Sequence, residues 1–288
     1  MAEIEVLKSG FYTSIQDLGR TGFARYGVPQ SGVMDSFSAK KANLLLDNKS
    51  DAAVLEITMS GPKLKFSGDT TIAICGAEFT LQLNGKEIFN DKLYVIKEGD
   101  ELDFGTLKAG FRAYLAVFGG FLSDKILGSR SMYEGITSTI RLQKGDRLCV
   151  KSGEIGQKSA SARVNFRESG IFKNEIEVFT GPEFGLLSKI QQKTLFSQFF
   201  TVSGASSRMA IQLVDKLQNQ LKGIVTGPVI PGTVQLTSGG NLIILMRDCQ
   251  VTGGYPRILQ LSEMSICRLA QKRPQDLIKF KLRETGIF

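Results

Sequence analysis

The chain has 288 residues, 42% of them hydrophobic and 22% charged, with a formal net charge of +8 and no histidine. That length and balance exclude wholesale disorder and suffice for one large domain or two ordinary ones, each able to bury a full core. Without imidazole there is no Ser-His-Asp triad, no Cys-His pair and no histidine-ligated metal, so chemistry rests on carboxylates, Lys, Arg, Tyr, Cys or backbone amides.

The opening MAEIEVLKSGFYTS has neither a basic n-region nor an apolar core, and no apolar run approaches the roughly 18 residues of a membrane span, so a cytoplasmic protein is expected, away from membranes. Residues 15–35 then read IQDLGRTGFARYGVPQSGVMD. Gln16, Asp17 and Arg20 surround Gly19 and Gly22, and Asp35 closes the stretch. Arginine offers planar bidentate recognition of carboxylate or phosphate, and glycines let backbone amides approach an anion. A turn clamp between Asp17 and Arg20, with Asp35 as a helix cap, is the alternative reading.

Asp35 or Ser36 can cap a helix over 37–46, because either side chain can accept a first-turn N–H. Strands are predicted at 54–58, 70–75, 79–83, 92–96, 101–104, 112–118 and 146–150, mostly antiparallel. Asn84-Gly85 in LNGKEI marks a two-residue hairpin turn of the kind that needs positive φ at both positions. In LGSRSMY, Arg130 stands between two hydroxyls after a glycine, which suits phosphate or a surface loop equally.

An N-terminal β domain over 1–155 and a C-terminal β-barrel domain over 176–288 are predicted, joined by a Gly- and Ser-rich linker over 156–175. The second set of strands falls at 175–179, 199–203, 232–236, 241–246, 257–261 and 277–282. A helix over 183–196 places Phe184, Leu187, Ile190 and Leu195 on one stripe, and Ser262 caps another over 263–271 before Pro274 ends it. In TVSGASSRMAIQL, Arg208 again follows serines. In MRDCQVTGGYPRI an apolar strand ends at Asp248 and runs into Gly253, Gly254, Tyr255 and Arg257, a place where loops on rigid strands carry function; a plain hairpin reads the same.

Cys75, Cys149, Cys249 and Cys267 lie far apart, as four reduced core thiols would, and neither a metal site nor a disulfide framework is expected. From Arg268 to Arg283 there are six basic residues and one acidic one, interleaved with apolar residues as on a solvated face, so nucleic acid is not an expected partner. No P-loop, dinucleotide fingerprint, biotin-carrier motif or H-E-x-x-H is present.

The ordered segments SIQDLGRTGFARYGVPQSGVMD, LEITMSGPKLKF, IAICGAEF, GSRSMY, LQKGDRL, FTGPEF, VSGASSRM, GTVQL and DCQVTGGYPRI resemble the biotin-dependent carboxyltransferase A/B family, from about residue 4 to about residue 282. That family includes the C subunits of bacterial 5-oxoprolinases, KipA and proteins called allophanate hydrolase subunit 2. The resemblance implies a mainly β fold, two cyclophilin-like β-barrel domains with a few short helices. It implies one component of an ATP-dependent 5-oxoprolinase, opening the pyroglutamate lactam to glutamate. Its implied partners there are a KipI-like protein, equivalent to the B subunit of 5-oxoprolinase, and a protein like the A subunit.

ATP shared with those partners, and Mg, are the implied cofactors; alternatively the chain is a urea carboxylase-like component using biotin supplied in trans, or a non-catalytic KipA-like regulator. Carried onto this sequence, Asp17, Asp35 and Asp248 are the candidate acid/base or metal-nucleotide residues. Gln16, Arg20, Arg130, Arg208, Gly253, Gly254, Tyr255 and Arg257 are candidates for binding substrate or phosphate. Where relatives read S-D-R-M-G-Y-R-L, residues 206–213 read SSRMAIQL, and YEGITSTI replaces the Gly-rich turn expected after GSRS.

Overall fold

The computed structural model describes residues 2–153 and 170–283. Most of the expected linker, 156–169, lies outside the described residues. The protein is mainly β, as its punctuated β-branched runs predict, with three α-helices among the described residues. It divides into two units, one of residues 2–20 and 31–153, the other of 21–30 and 170–283. Residues 21–30, counted with the N-terminal domain on sequence, thus cluster with the second unit.

The first unit begins with β1 (Ala2–Lys8) and β2 (Tyr12–Gln16), then α1 (Ser36–Leu45) and β3 (Val54–Thr58). There follow β4 (Lys63–Phe66), β5 (Thr70–Phe79), β6 (Gln82–Leu83), β7 (Lys86–Glu87) and β8 (Leu93–Ile96). β9 (Glu101–Asp103), β10 (Leu107–Val117) and β11 (Arg147–Val150) complete it. One sheet has the order β11-β1-β4-β9-β6-β7 and the other β2-β3-β10-β5-β8, all pairs antiparallel. Sequence reasoning missed β1, β2 and β4; in β1 and β4 charged residues alternate with apolar ones, and β2 is mostly polar.

Ile4, Val6, Leu64, Phe66 and Leu102 from the first sheet share a core with Leu55, Ile57, Ile74 and Leu115 from the second. The opposite face of the second sheet carries Val54, Ala73, Cys75, Tyr114 and Ala116 and is covered by Ala39, Ala42 and Leu46. Strands buried on both faces lose the polar half of the period-two pattern, which is why VLEIT and RAYLAVF read as nearly continuous apolar runs. The predicted turn is present: Asn84 and Gly85 have φ of 51° and 76°, and Leu83 pairs with Lys86. The expected strand over 79–83 is split, because β5 ends at Phe79 and Gln82 starts a strand of the other sheet.

The second unit contains β12 (Glu175–Thr180), α2 (Lys189–Ser197), β13 (Phe200–Thr201), β14 (Ala210–Gln212) and β15 (Gly227–Pro228). β16 (Thr233–Leu236), β17 (Leu242–Leu245), β18 (Thr252–Gly253), β19 (Arg257–Leu261), α3 (Glu263–Ala270) and β20 (Leu277–Leu282) follow. Seven strands form one sheet in the order β13-β20-β12-β19-β16-β17-β14, and β15 and β18 make a separate ribbon. The contact between β12 and β20 is parallel.

The helix predicted over 183–196 is broken. Phe184–Leu186 is a single 3-10 turn, Leu187 is extended, and α2 starts afresh from Ser188. Ser188 and Gln191 form a capping box: Ser188 Oγ accepts from Gln191 N–H at 3.3 Å, and Gln191 Oε1 accepts from Ser188 N–H at 2.8 Å. Restarting the helix there rotates the expected stripe, so Leu187 and Leu195 are buried while Ile190 is 79% exposed. α3 is capped by Ser262 as predicted, its Oγ accepting from Ser265 N–H at 3.2 Å.

Candidate functional site

In the first unit β2 ends at Gln16 and delivers Asp17 onto the 129–131 segment. That segment is set by a tight turn, Ile126 and Ser129 exchanging backbone hydrogen bonds across Leu127 and Gly128, both at positive φ. Asp17 Oδ1 accepts from Gly19 N–H at 2.8 Å, Ser129 Oγ at 2.6 Å and Ser131 Oγ at 2.7 Å, and Oδ2 accepts from Arg130 N–H at 2.7 Å. Gln16 Nε2 donates to Ser14 Oγ at 3.0 Å and to Met132 C=O at 3.2 Å. Buried Arg20 donates to Ser131 C=O. The two serines flanking Arg130, readable on sequence as phosphate contacts, instead bind the Asp17 carboxylate.

Asp35 is the N-cap of α1, accepting from Ser38 N–H at 3.0 Å and Ser38 Oγ at 2.6 Å. The chain from Asp17 to Asp35 is tied back on itself by Val33 N–H to Asp17 C=O, 2.9 Å. Gly32, with φ of 91°, passes so close that a Cβ would lie 2.7 Å from Gly19 N. Sequence reasoning missed the support beneath this loop. Glu56, fully buried in β3, accepts from Met34 N–H at 2.6 Å and Tyr114 O–H at 2.9 Å, and Arg112 Nε lies 3.9 Å away.

The Tyr114 oxygen in turn accepts from Asp35 N–H at 2.8 Å. Burial, then the charges of Glu56 and Asp35, hold the Tyr114 phenol well above its ordinary pKa, so it stays a neutral donor. A lone acidic residue inside the apolar run VLEIT was the signal for this group.

In the second unit Asp248 takes a bidentate contact from Arg208, Nε to Oδ2 at 2.7 Å and Nη2 to Oδ1 at 3.1 Å. Arg257 is held by Glu183, with Nε to Oε2 at 2.9 Å, Nη2 to Oε1 at 2.7 Å and its own N–H to Oε2 at 2.8 Å; Nη1 donates to Pro228 C=O at 2.9 Å. Gly253 pairs with Gly227 across the ribbon, Gly254 C=O accepts from Ile224 N–H, and Tyr255 is 45% exposed. The variant segment SSRMAIQL makes a serine-rich turn and β14, which pairs with β17.

Four arginines were singled out on sequence, and Arg208 and Arg257 are neutralised within the unit. Arg130 differs: half-buried, it has no carboxylate partner among the described residues. Three of the cysteines are buried and Cys149 is exposed on edge strand β11, contrary to the expectation of four core thiols. Burial, with Asp248 adjoining, pushes the Cys249 thiol up to about 11, and burial raises that of Cys75 further. Neither is a nucleophile near neutral pH.

The Arg257 hydrogen bond holds the Glu183 carboxyl below its ordinary 4.5. A depressed folded-state pKa contributes stability that is complete above 4.5 and lost as pH falls through the lowered value. Unfolding of wild type and Glu183→Gln, followed between about pH 6 and about pH 3, should therefore show a steeper acid loss in wild type. Parallel profiles would contradict it.

The three nominated aspartates are already engaged: Asp17 by four donors, Asp35 by Ser38 and Asp248 by Arg208. Among the described residues no group of three or more Cys, Asp or Glu side chains is placed to hold a metal ion. Among the described residues, then, no donor set for Mg is assembled. No helix among the described residues is long and apolar enough to cross a membrane.

Comparison with known proteins places these motifs in context. The chain is 30% identical over 275 residues to the C subunit of 5-oxoprolinase from Escherichia coli K12, covering 93% of this chain and 87% of that protein. Among solved structures it matches urea carboxylase of Kluyveromyces lactis with a TM-score of 0.84 and 29% identity, covering 96% of this chain and 27% of that one. It matches a protein designated TTHA0988 with a TM-score of 0.84 and 26% identity, covering 98% of this chain and spanning 55% of that one. Residues 26–282 match the model of the carboxyltransferase domain, subdomain A and B. The chain belongs to that carboxyltransferase A and B family.

Proposed function

We propose that the chain is the C-type component of an ATP-dependent 5-oxoprolinase, a cytoplasmic hydrolase complex that opens the lactam of 5-oxoproline to glutamate. The observation that carries this reading is the match to the E. coli protein, which runs through 93% of this chain and 87% of that one. Its partners in the reading are a KipI-like, B-type protein and an A-type protein of the same complex, with ATP supplied at a site shared with them. The occupied carboxylates argue against metal ligation here, so no step in this chain is routed through Mg.

Opening the ring adds water across the amide C–N bond, oxygen to the carbonyl carbon and a proton to the nitrogen. The substrate is an anion through its own carboxylate, and Arg130 is the guanidinium able to receive it. Asp17 fixes the Arg130 backbone, so it acts as a positioning residue, and Gln16 and Arg20 brace the same turn. Arg208 and Arg257 shape the loops around Asp248 and Tyr255 through their carboxylate partners.

A mixture of this chain with its A-type and B-type partners should release ADP and glutamate only when 5-oxoproline is present. Arg130→Ala should lower kcat/KM about 10- to 100-fold with complex assembly unchanged. Full turnover in the mixture lacking this chain would contradict the assignment. A second reading, a carboxyltransferase component using biotin supplied in trans, is favoured by the family model and by the K. lactis urea carboxylase match. Transfer of a carboxyl group from carboxybiotin by the mixture, without ATP turnover on 5-oxoproline, would select it; a formed complex with neither activity would select the KipA-like regulator.

A further inference from the structure

Gln235 lies in the middle of β16, between β17 and β19, and is 1% exposed. Its Nε2 is buried with no acceptor, and no hydrogen bond among the described residues engages its carboxamide. Leaving a buried amide donor unmade costs free energy, so such a group in a sheet centre calls for an account.

What roofs it is the β15–β18 ribbon, at the one place where both paired residues lack a side chain, Gly227 opposite Gly253. A Cβ on Gly253 would lie 2.4 Å from Gln235 Nε2, and one on Gly227 would lie 3.2 Å from Arg257 Nη1. Gln235 and Arg257 are neighbours across β16 and β19. Arg257 is held by Glu183 and Pro228, while Gln235 Nε2 is the buried side-chain donor beneath the ribbon with no acceptor.

We infer that Gln235 is a ligand-binding residue for a cis-amide edge. A primary carboxamide presents one donor and one acceptor side by side. Its complement is a ring amide, whose C=O and N–H are forced onto the same side, and the pair closes with two parallel hydrogen bonds. A carboxylate, which offers acceptors alone, does not fit. The lactam of 5-oxoproline carries that edge and so does the ureido ring of biotin; the shared chemistry is the cis amide.

Entry requires the ribbon to shift. It is two residues per strand, braced by Val229 N–H to Val251 C=O, Ile224 N–H to Gly254 C=O and Arg257 to Pro228 C=O. The glycine pair lets the backbone settle directly on a bound ring. The choice of 5-oxoproline as occupant rests on the function proposed above and is an alternative to seating that substrate on Arg130, which belongs to the other unit; the role of Gln235 rests on neither.

The test is calorimetric binding of 5-oxoproline, its ring N-methyl analogue and biotin to the assembled complex, with wild type and Gln235→Leu. Wild type is expected to bind 5-oxoproline about 10- to 100-fold more tightly than Gln235→Leu does. N-methylation, which removes the ring N–H, should cost wild type a similar factor and Gln235→Leu none. Gly253→Ala, whose Cβ would land on Nε2, should reproduce the loss.

Binding of biotin in place of 5-oxoproline, with the same dependence on Gln235, upholds the site and overturns the lactam reading alone. Equal binding by wild type and variant, indifference of wild type to N-methylation, or no binding of either ring overturns the site. Should Gln235→Leu fail to fold, the isosteric Gln235→Glu takes its place, and the N-methyl comparison in wild type needs no variant.

Discussion

Asp248→Ala is expected to destabilise the second unit by about 3 to 5 kcal/mol, because it strips a nearly buried arginine of its bidentate carboxylate. The side chains of Arg208 and Asp248 are only 10% and 12% exposed, and two hydrogen bonds at 2.7 Å and 3.1 Å join them. Backbone contacts reinforce the pair, Asp248 N–H donating to Arg208 C=O and Met246 N–H to Met209 C=O.

Asp248→Asn, which keeps the shape and one acceptor, should cost about 1 to 2 kcal/mol. The double variant Arg208→Met with Asp248→Leu should recover much of the loss, since an apolar pair has no charge to strand. Urea unfolding read by amide exchange within β14 and β17 checks this for the unit alone. A loss below about 0.5 kcal/mol for Asp248→Ala would show that the pair is solvated and that Asp248 is available for other work.

Glu56→Leu is expected to cost the first unit a comparable amount, about 3 to 5 kcal/mol. The carboxylate is fully buried and anchors Met34 N–H and Tyr114 O–H, with Arg112 alongside. Leucine matches its volume and supplies no acceptor. Tyr114→Phe removes the hydroxyl that donates to Glu56 and accepts from Asp35 N–H, and should cost about 1 to 2 kcal/mol. Hydrogen exchange at the Met34 and Asp35 amides distinguishes the two: both should open in Glu56→Leu, Asp35 above all in Tyr114→Phe. Unchanged protection at Met34 in Glu56→Leu would mean that the 33–35 backbone is held by the sheet and α1, without help from Glu56.

Local chemistry was legible where one or two residues decide it. Asn84-Gly85 dictates its turn, Asp35 and Ser262 cap helices at the predicted places, and the double-faced strands announce themselves by apolar runs. Where a competing local signal was overlooked, the reading failed. Ser188 and Gln191 cap α2 more strongly than the apolar spacing of 183–196 extends it, and that shift exposes Ile190. β1 and β4 were missed because charged residues on their open face interrupt the pattern, leaving Ile4, Val6, Leu64 and Phe66 as separate points.

From the sequence by itself came the mainly β class, the exclusion of imidazole chemistry and the family, since these depend on composition and on ordered motifs that survive without coordinates. Which polar groups meet was decided only by the tertiary structure. Asp17 finds Ser129 and Ser131 across 112 and 114 residues, Arg257 finds Glu183 across 74, and Arg208 finds Asp248 across 40. Hydrogen bonds act over about 3 Å of space and are blind to separation along the chain, so a carboxylate that looks reactive in a motif can be spent on a clamp. The same blindness leaves Gln235, unremarkable in its motif, with a buried donor unmade, and Arg130 with no carboxylate partner among the described residues.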